Sequence, residues 1–348
     1  MLIGLTYDLR REYLEAGFGE EETAEFDRPD TVDFIENALR ELGHRTERIG
    51  HAIALAGRLA GGAHWDLVFN IAEGLSGVSR EAQVPAMLEA FQIPCTFSDP
   101  LVSALTLDKA ITKRVLRDLG LPTAPFAVIE TIAALDRLDM PYPLFVKPLA
   151  EGTAKGIDGR SRVDSIDRLR NVVARVLDEF RQPALVEAYL PGREFTVGIT
   201  GTGLRAEAAG TLEIVLLPEA EPHSYTYVNK ERCEELCQFP LAPPEWAARA
   251  EELALAAWRG LGCRDAGRVD LRADANGDLQ LLEINPLPGL HPSHSDLPML
   301  CTAVGMPYLE LIQRIIESAK SRVRPPDPRL AALGRKRLAS KRSMPVGS

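Results

Sequence analysis

A chain of 348 residues is too long for one small core and divides into roughly two to three lobes of ordinary size. With 45% hydrophobic and 26% charged residues its balance is globular, and no apolar run approaches the ~18 residues that would cross a bilayer, so no membrane partner is expected. The net charge of -10 is uneven: residues 319–348 carry nine Lys or Arg against Asp327 alone, a local +8 that leaves -18 on the rest. That acidic body repels phosphates wherever a site lacks its own basic residues or metal.

In chain order, the amino terminus has no basic segment leading into a long apolar stretch, so no signal peptide is expected and the cytoplasm is the expected compartment. Residues 2–7 form a short apolar run suited to a buried strand. Residues 31–42 set Val32, Ile35, Ala38, Leu39 and Leu42 on one helical face before Gly43. Residues 65–71 repeat the strand pattern and 83–91 read as a helix. This alternation predicts a parallel sheet covered by helices, although no GxGxxG follows the first strand. A helix is predicted over 106–119, then a linker marked by Pro122 and Pro125, a strand at 144–147 and a glycine-rich loop at 151–159. Strands at 184–187 and 194–199 flank Pro191-Gly192, and Pro244–Leu261 reads as an Ala/Leu-rich helix. The five cysteines are scattered and odd in number, which fits buried thiols rather than disulfides. No partner cluster accompanies Cys233 and Cys237 at zinc spacing. The basic tail has no aromatic residue and contains Pro325, Pro326 and Pro328, so it reads as a disordered solvated terminus rather than a nucleic-acid arm.

The most informative stretch is Arg268-Val-Asp-Leu-Arg-Ala-Asp-Ala-Asn-Gly-Asp-Leu-Gln-Leu-Leu-Glu-Ile-Asn-Pro. Two alternating runs flank Asn276-Gly277, a hairpin signal. Residues two apart in a strand share a face, so Arg268 and Asp270 point one way, and Glu283 and Asn285 do so on the return, with Leu282 and Ile284 behind them. With a loop over 275–278, Asp274 pairs with Leu279, Asp270 lies opposite Glu283, and Arg268 lies opposite Asn285. Two carboxylates and an amide oxygen on one surface suit a hard cation such as Mg²⁺. A solvated polar face would carry the same pattern.

The run Glu283-Ile-Asn-Pro-Leu-Pro-Gly-Leu after Gly267-Arg-Val-Asp resembles the carboxyl-terminal signature of the D-alanine:D-alanine ligases. Four further blocks resemble that family in the same order: Leu107-Asp-Lys-Ala-Ile-Thr-Lys, Pro143-Leu-Phe-Val-Lys-Pro, Glu151-Gly-Thr-Ala-Lys-Gly, and Leu185-Val-Glu-Ala-Tyr-Leu-Pro-Gly-Arg-Glu-Phe-Thr-Val. The resemblance implies an ATP-grasp fold, α/β at its start and α+β overall. Its parts would be a parallel amino-terminal lobe (1–100) and two α+β subdomains (101–190 and 191–318) that sandwich ATP, followed by the basic tail (319–348). It also implies an ATP-dependent carboxylate–amine ligase using one or two Mg²⁺, or Mn²⁺, with small amino-acid substrates and a homodimer through the first lobe.

Residue by residue, the resemblance assigns Lys109 and Lys147 to nucleotide phosphates and the loop from Glu151 through Gly152 and Thr153 to Gly156 to covering them with backbone N–H groups. Glu187, Tyr189 and Leu190 would meet the adenine, Glu194 the ribose, and Lys230 the phosphates from a mobile loop. Asp270, Glu283 and Asn285 would hold metal, and Arg268 with the Gly289 N–H would stabilise an oxyanion. Departures fall on the amino-acid pocket. Thr153 replaces the loop serine and Glu231 the tyrosine after the loop lysine, while Glu73 stands for the histidine of a His-Gly pair. Glu25 or Asp27 would replace the first-lobe glutamate. Ser295, then Ser293, match the carboxylate-binding serine, with His291 and His294 beside them. Three readings follow: a D-alanine:D-alanine ligase, an amino-acid ligase whose extra carboxylates (Glu73, Glu231) suit a cationic substrate, and a nucleotide-binding protein without turnover.

Overall fold

The computed structural model describes residues 1–325, 327 and 329. The first segment runs β1 (Leu2–Thr6), α1 (Arg10–Glu15), α2 (Pro29–Glu41), β2 (Arg45–Gly50), α3 (Ala52–Ala60), β3 (Leu67–Asn70) and α4 (Gln83–Ala90). Its strands form a parallel sheet in the order β2-β1-β3. Ile3, Leu5, Leu67, Val68 and Phe69 are at most 1% exposed, as strands covered on both faces require.

The next segment runs α5 (Pro100–Leu107), α6 (Lys109–Asp118), β4 (Phe126–Ile129), β5 (Leu144–Pro148), β6 (Arg162–Val163), α7 (Ile166–Glu179) and β7 (Ala184–Ala188). Its four-stranded antiparallel sheet has the order β4-β7-β5-β6. The single helix expected over 106–119 is broken at Asp108, which takes an extended conformation (φ -82°, ψ 99°) and accepts from the Ile111 N–H at 2.8 Å. A side chain that caps an orphan amide competes with helix continuation. The break starts a new helix at Lys109.

The last segment runs β8 (Glu194–Thr200), β9 (Glu207–Leu216), α8 (Tyr227–Glu231), α9 (Cys233–Leu236), β10 (Cys237–Gln238), α10 (Pro244–Leu261), β11 (Ala266–Ala273), β12 (Leu279–Asn285), α11 (Asp296–Ala303) and α12 (Tyr308–Lys320). Its sheet has the order β10-β9-β8-β11-β12. α10 lays Ala250, Ala254, Ala257 and Trp258 against β8, β11 and β12, and Val102 and Leu116 of α5 and α6 join the same core.

α12 presents Leu311, Ile312, Ile315, Ile316 and Ala319, an apolar stripe at helical spacing, to the core of the first sheet, where Leu297 and Cys301 of α11 also sit. Each such fully buried Leu or Ile contributes roughly 1.5–3 kcal/mol. The end of the chain therefore packs back on its beginning, and a buried ion pair adds to that closure. Asp265, 0% exposed, accepts from the Phe97 N–H at 2.7 Å and pairs with Arg322. The basic tail is thus anchored at its start: residues 319 and 320 complete α12, Arg322 is bound and the Asp327 N–H donates to Gln92, while residues 326, 328 and 330–348 lie outside the described residues. All five cysteines are free thiols. Among the described residues, no single helix is long and apolar enough to cross a membrane.

Candidate active site

The ribbon β11–β12 sets the centre of the site. Arg268 pairs with Asn285 and Asp270 with Glu283, but the end of the ribbon differs from expectation: Ala273, not Asp274, lies opposite Leu279. The turn is one residue longer because the Asp274 carboxylate accepts from the N–H groups of Asn276 (2.8 Å) and Asp278 (3.0 Å). A bulge between Asp270 and Leu271 absorbs the slip. It leaves Leu282 opposite no partner, and this residue lines a cavity rather than packing behind the strand as its alternation predicted. Val269, Leu271 and Ala273 remain buried on the other face, at no more than 1% exposure.

On the polar face, Asp270 accepts from the Thr196 hydroxyl at 2.6 Å and from the Asn285 amide at 2.9 Å. Arg268 lies 2.6 Å from Asp296 and 3.3 Å from Asp270. Glu283 lies 3.3 Å from Lys109, whose ammonium also donates to the Glu151 carbonyl at 2.5 Å. Burial, only partly offset by Arg268, raises the Asp270 carboxyl, and the nearby Glu283 charge adds to this. Burial would raise Glu283 as well, but Lys109, Lys147 and Lys230 outweigh it and hold its carboxyl below the usual range. Asp296 is likewise held low, Arg268 and Lys230 overcoming burial.

This donor set fits a hard divalent cation. Two carboxylates stand at one register pair, and the Asn285 amide, by donating to Asp270, leaves its carbonyl oxygen for a ligand. A cation would offset the Glu283 charge that adds to the effect of burial on Asp270. Among the described residues no three His, Cys, Asp or Glu side chains gather as a metal cluster, so phosphate or water oxygens would have to complete the sphere.

Two cavities of about 190 and 130 Å³ meet at the ribbon and share Thr153, Tyr225, Lys230, Arg268, Glu283 and Asn285 as lining. The smaller one is lined by Lys147, Glu187, Tyr189, Leu190 and Glu194, all from the nucleotide set. Glu187 is buried between Lys113 and Lys147, each 2.7 Å away. The Lys113 ammonium is off the angle of a hydrogen bond to Glu187 Oε1, so that contact is electrostatic. Burial alone would raise the Glu187 carboxyl, yet the two lysines bring it to about 2. Two ammoniums share this one anion unequally. Lys147 is raised above its usual value, Glu187 and Glu283 outweighing burial, whereas burial and repulsion by Lys147 push Lys113 down. Glu194 meets Arg272 at 3.1 Å, and Arg272 also lies over the Tyr189 ring.

The glycine-rich loop differs from expectation in where its N–H groups go. Gly152 donates to Glu25 at 2.6 Å and Gly156 to Glu21 at 3.0 Å, so carboxylates of the first lobe hold these amides and neither is free for phosphate. Gly156 is also packed beneath Pro148 and Phe180, with φ +74°, and lines neither cavity. Thr153 and Ala154 take positive φ, 48° and 55°, turning the loop tip toward both cavities. Lys230 is carried by α8, whose start Thr226 caps by accepting from the Asn229 N–H; the Asn229 amide, fully buried, donates to the Glu221 and Ser224 carbonyls at 2.9 Å.

The larger cavity is lined by Lys109, Glu151, Gly152, Glu231, Gly289 and Ser295, and also by Glu25, Glu73, His291 and His294. Glu25 is corrected as a free substrate ligand. Its carboxylate is taken by Arg80 (2.9 and 3.1 Å), Lys155 (2.9 Å) and the Gly152 amide. His291 is held by Arg28 at 3.1 Å and Asp30 at 3.3 Å, which makes it a structural link to α2. Ser295 accepts from the His291 N–H at 3.0 Å beside Gly289, while Ser293 stays off the cavity lining, turned to the His291 ring. Glu231 faces Arg10 at 3.5 Å and His294 faces Glu234 at 3.6 Å.

Sequence reasoning missed Arg80, Glu81, Lys113, Lys155 and Asp296. Lys113 had a signal, since it falls four residues after Lys109 and so shares its helical face. Lys155 stood inside the glycine-rich loop already singled out. The others depend on contacts between distant segments.

The family described as D-ala D-ala ligase C-terminus matches residues 115–317. A D-alanine--D-alanine ligase of Bordetella petrii is 37% identical over 270 residues, 76% of this chain and 79% of its own. The uncharacterized protein y4sG of Sinorhizobium fredii is 33% identical over 307 residues, 84% of this chain and 88% of its own. The crystal structure of D-alanine--D-alanine ligase from Bacillus anthracis complexed with ATP, at 23% identity, superposes with a TM-score of 0.70 over 92% of this chain and 98% of that one. The chain therefore has the ATP-grasp fold and belongs to the D-alanine–D-alanine ligase family of ATP-dependent carboxylate–amine ligases.

Proposed function

We propose that the protein joins the carboxylate of one D-alanine to the amine of a second, in the cytoplasm, with ATP and Mg²⁺, as a homodimer built on the first lobe. A carboxylate is a poor electrophile, so one of its oxygens must become a leaving group. Phosphoryl transfer from ATP gives an acyl phosphate and ADP, and attack by the second amine then expels phosphate. Residues 1–100 would form one wall of the cleft, and 101–190 and 191–318 the two halves that enclose ATP.

In this reading the smaller cavity takes the nucleotide, with Glu187, Tyr189 and Leu190 at the base and Glu194 at the ribose. Lys109, Lys147 and Lys230 offset phosphate charge. Asp270, Glu283 and the Asn285 oxygen would hold Mg²⁺, which when bound neutralises charge on the phosphates. Arg268 and the Gly289 N–H stabilise the oxyanion that builds as the amine attacks, and Ser295 meets the substrate carboxylate. Thr153 borders both cavities and Glu231 the larger one. The observation that carries the reading is the register of β11 and β12, which sets Arg268, Asp270, Glu283 and Asn285 together where the two cavities meet.

Phosphate release by the purified protein with Mg-ATP and a panel of D- and L-amino acids tests it. Turnover with D-alanine alone is expected. Turnover only with another amino acid would overturn the substrate, and ATP binding without turnover would overturn the reaction.

A further inference from the structure

Eight carboxylates line the larger cavity, and five of them are already committed to other side chains or amides. Glu25 is taken by Arg80, Lys155 and the Gly152 amide. Glu151 meets Lys155 at 2.5 Å, and Glu231 faces Arg10. Glu283 faces Lys109, and Asp296 pairs with Arg268. Asp27 is fixed through its backbone, its N–H donating to the Asp8 carbonyl at 2.9 Å and its carbonyl accepting from the Arg10 N–H at 3.0 Å, and Glu73 and Glu81 remain on one loop. Neither side chain has a hydrogen-bond or ion-pair partner among the described residues, and the nearest guanidinium, Arg80, spends its donors on Glu25 and the Ala150 carbonyl.

The backbone brings these two together. Gly74, at φ +75°, donates its N–H to Asp8 at 2.9 Å, and its Cα lies so close to the Arg80 carbonyl that an added Cβ would stand 2.8 Å from that oxygen. The loop from Glu73 to Glu81 thus closes on itself with the two acids at its two ends, both facing the cavity. An amino acid bound there brings a carboxylate for Arg268 and the phosphoryl group, and an ammonium that needs an anion.

Resting on the ligase reading above, we propose that Glu73 and Glu81 together hold the ammonium of the amino acid whose carboxylate is activated, the role for which Glu25 is no longer free. Burial, and after it the repulsion between neighbouring acids, pushes both carboxyls up, Glu81 to about 8. An ammonium beside them offsets the negative charge that Glu81 and Glu25 set against Glu73 and that Glu25 sets against Glu81.

The test uses the full-length protein with Mg-ATP and hydroxylamine, which traps the acyl phosphate as a hydroxamate and needs no second amino acid. The readout is the ratio of kcat/KM for D-alanine to that for D-lactate, which lacks the ammonium. Glu73→Gln and Glu81→Gln each lower this ratio at least about tenfold, as loss of a charge-assisted hydrogen bond would, with KM for ATP within about twofold of wild type. Glu25→Gln raises KM for ATP through the loop and leaves the ratio unchanged. An unchanged ratio in the correctly folded Glu73→Gln/Glu81→Gln double variant overturns the proposal, as does an equal fall in Glu25→Gln. Should the wild type use a different amino acid, the D-alanine reading fails. The ratio for that acid against its 2-hydroxy analogue then still decides the two carboxylates.

Discussion

At the residue scale, the smaller cavity rests on a buried anion shared by two cations. Removing Glu187 leaves Lys113 and Lys147 buried together without it. Glu187→Gln is expected to cost about 3–5 kcal/mol, read as a lower midpoint in urea unfolding at pH 7. Because the folded-state pKa of Glu187 is depressed to about 2, its contribution is complete above the ordinary glutamate value of ~4.3 and disappears as pH falls toward 2. The gap between wild type and Glu187→Gln should therefore narrow from pH 5 to pH 2, and a constant gap would contradict the assignment. Glu283 tests the metal. Glu283→Gln is expected to lower Mg²⁺-dependent phosphate release by about a hundredfold or more, with the loss persisting at high Mg²⁺, whereas recovery at saturating Mg²⁺ would mean that Glu283 sets affinity alone.

At the scale of elements, the glycine-rich loop is held from below by packing and from the side by the first lobe. At Gly156 a methyl group would meet Pro148 Cγ at 2.5 Å, in a backbone conformation that costs an L-residue about 1–2 kcal/mol. Gly156→Ala is expected to raise KM for ATP about tenfold, with a smaller change in KM for the amino acid; equal rises in both would place the loop's role elsewhere. The ribbon teaches a related lesson. Alternation and Asn276-Gly277 predicted that Asp270 faces Glu283, and it does. The route differs, because the Asp274 carboxylate enlarges the turn and a bulge restores the register. Period-two patterning reports which side chains share a face, but a bulge is a compromise between turn chemistry and two buried faces that no single strand displays. The break at Asp108 escaped for a similar reason: its apolar periodicity runs on through the capping residue.

At the scale of the molecule, one core joins the first sheet to α11 and α12, and Arg322 reaches Asp265 at its edge. Asp265 is wholly buried, so Arg322→Ala strands a charge and should cost about 3–5 kcal/mol. Thermal unfolding should show a lower Tm with kcat unchanged, since the pair lies outside both cavities. A fall in kcat with unaltered Tm would instead tie this clasp to the reaction.

The sequence by itself determined strands β1 and β3 and helices α2 and α4 of the first segment, the hairpin that gathers two acids and an amide, and Lys147, Glu187 and Glu194, which line the smaller cavity. These lie within short segments, where backbone periodicity and turn chemistry act locally. Only the tertiary structure decided which carboxylates are free. Glu25 looked available and is consumed by Arg80 and Lys155 from segments 55 and 130 residues away, while Glu81 gave no signal and faces the cavity unpaired. Charge pairing depends on distance in space, and burial strengthens it, so the free charges of the larger cavity could be read only after the chain had folded.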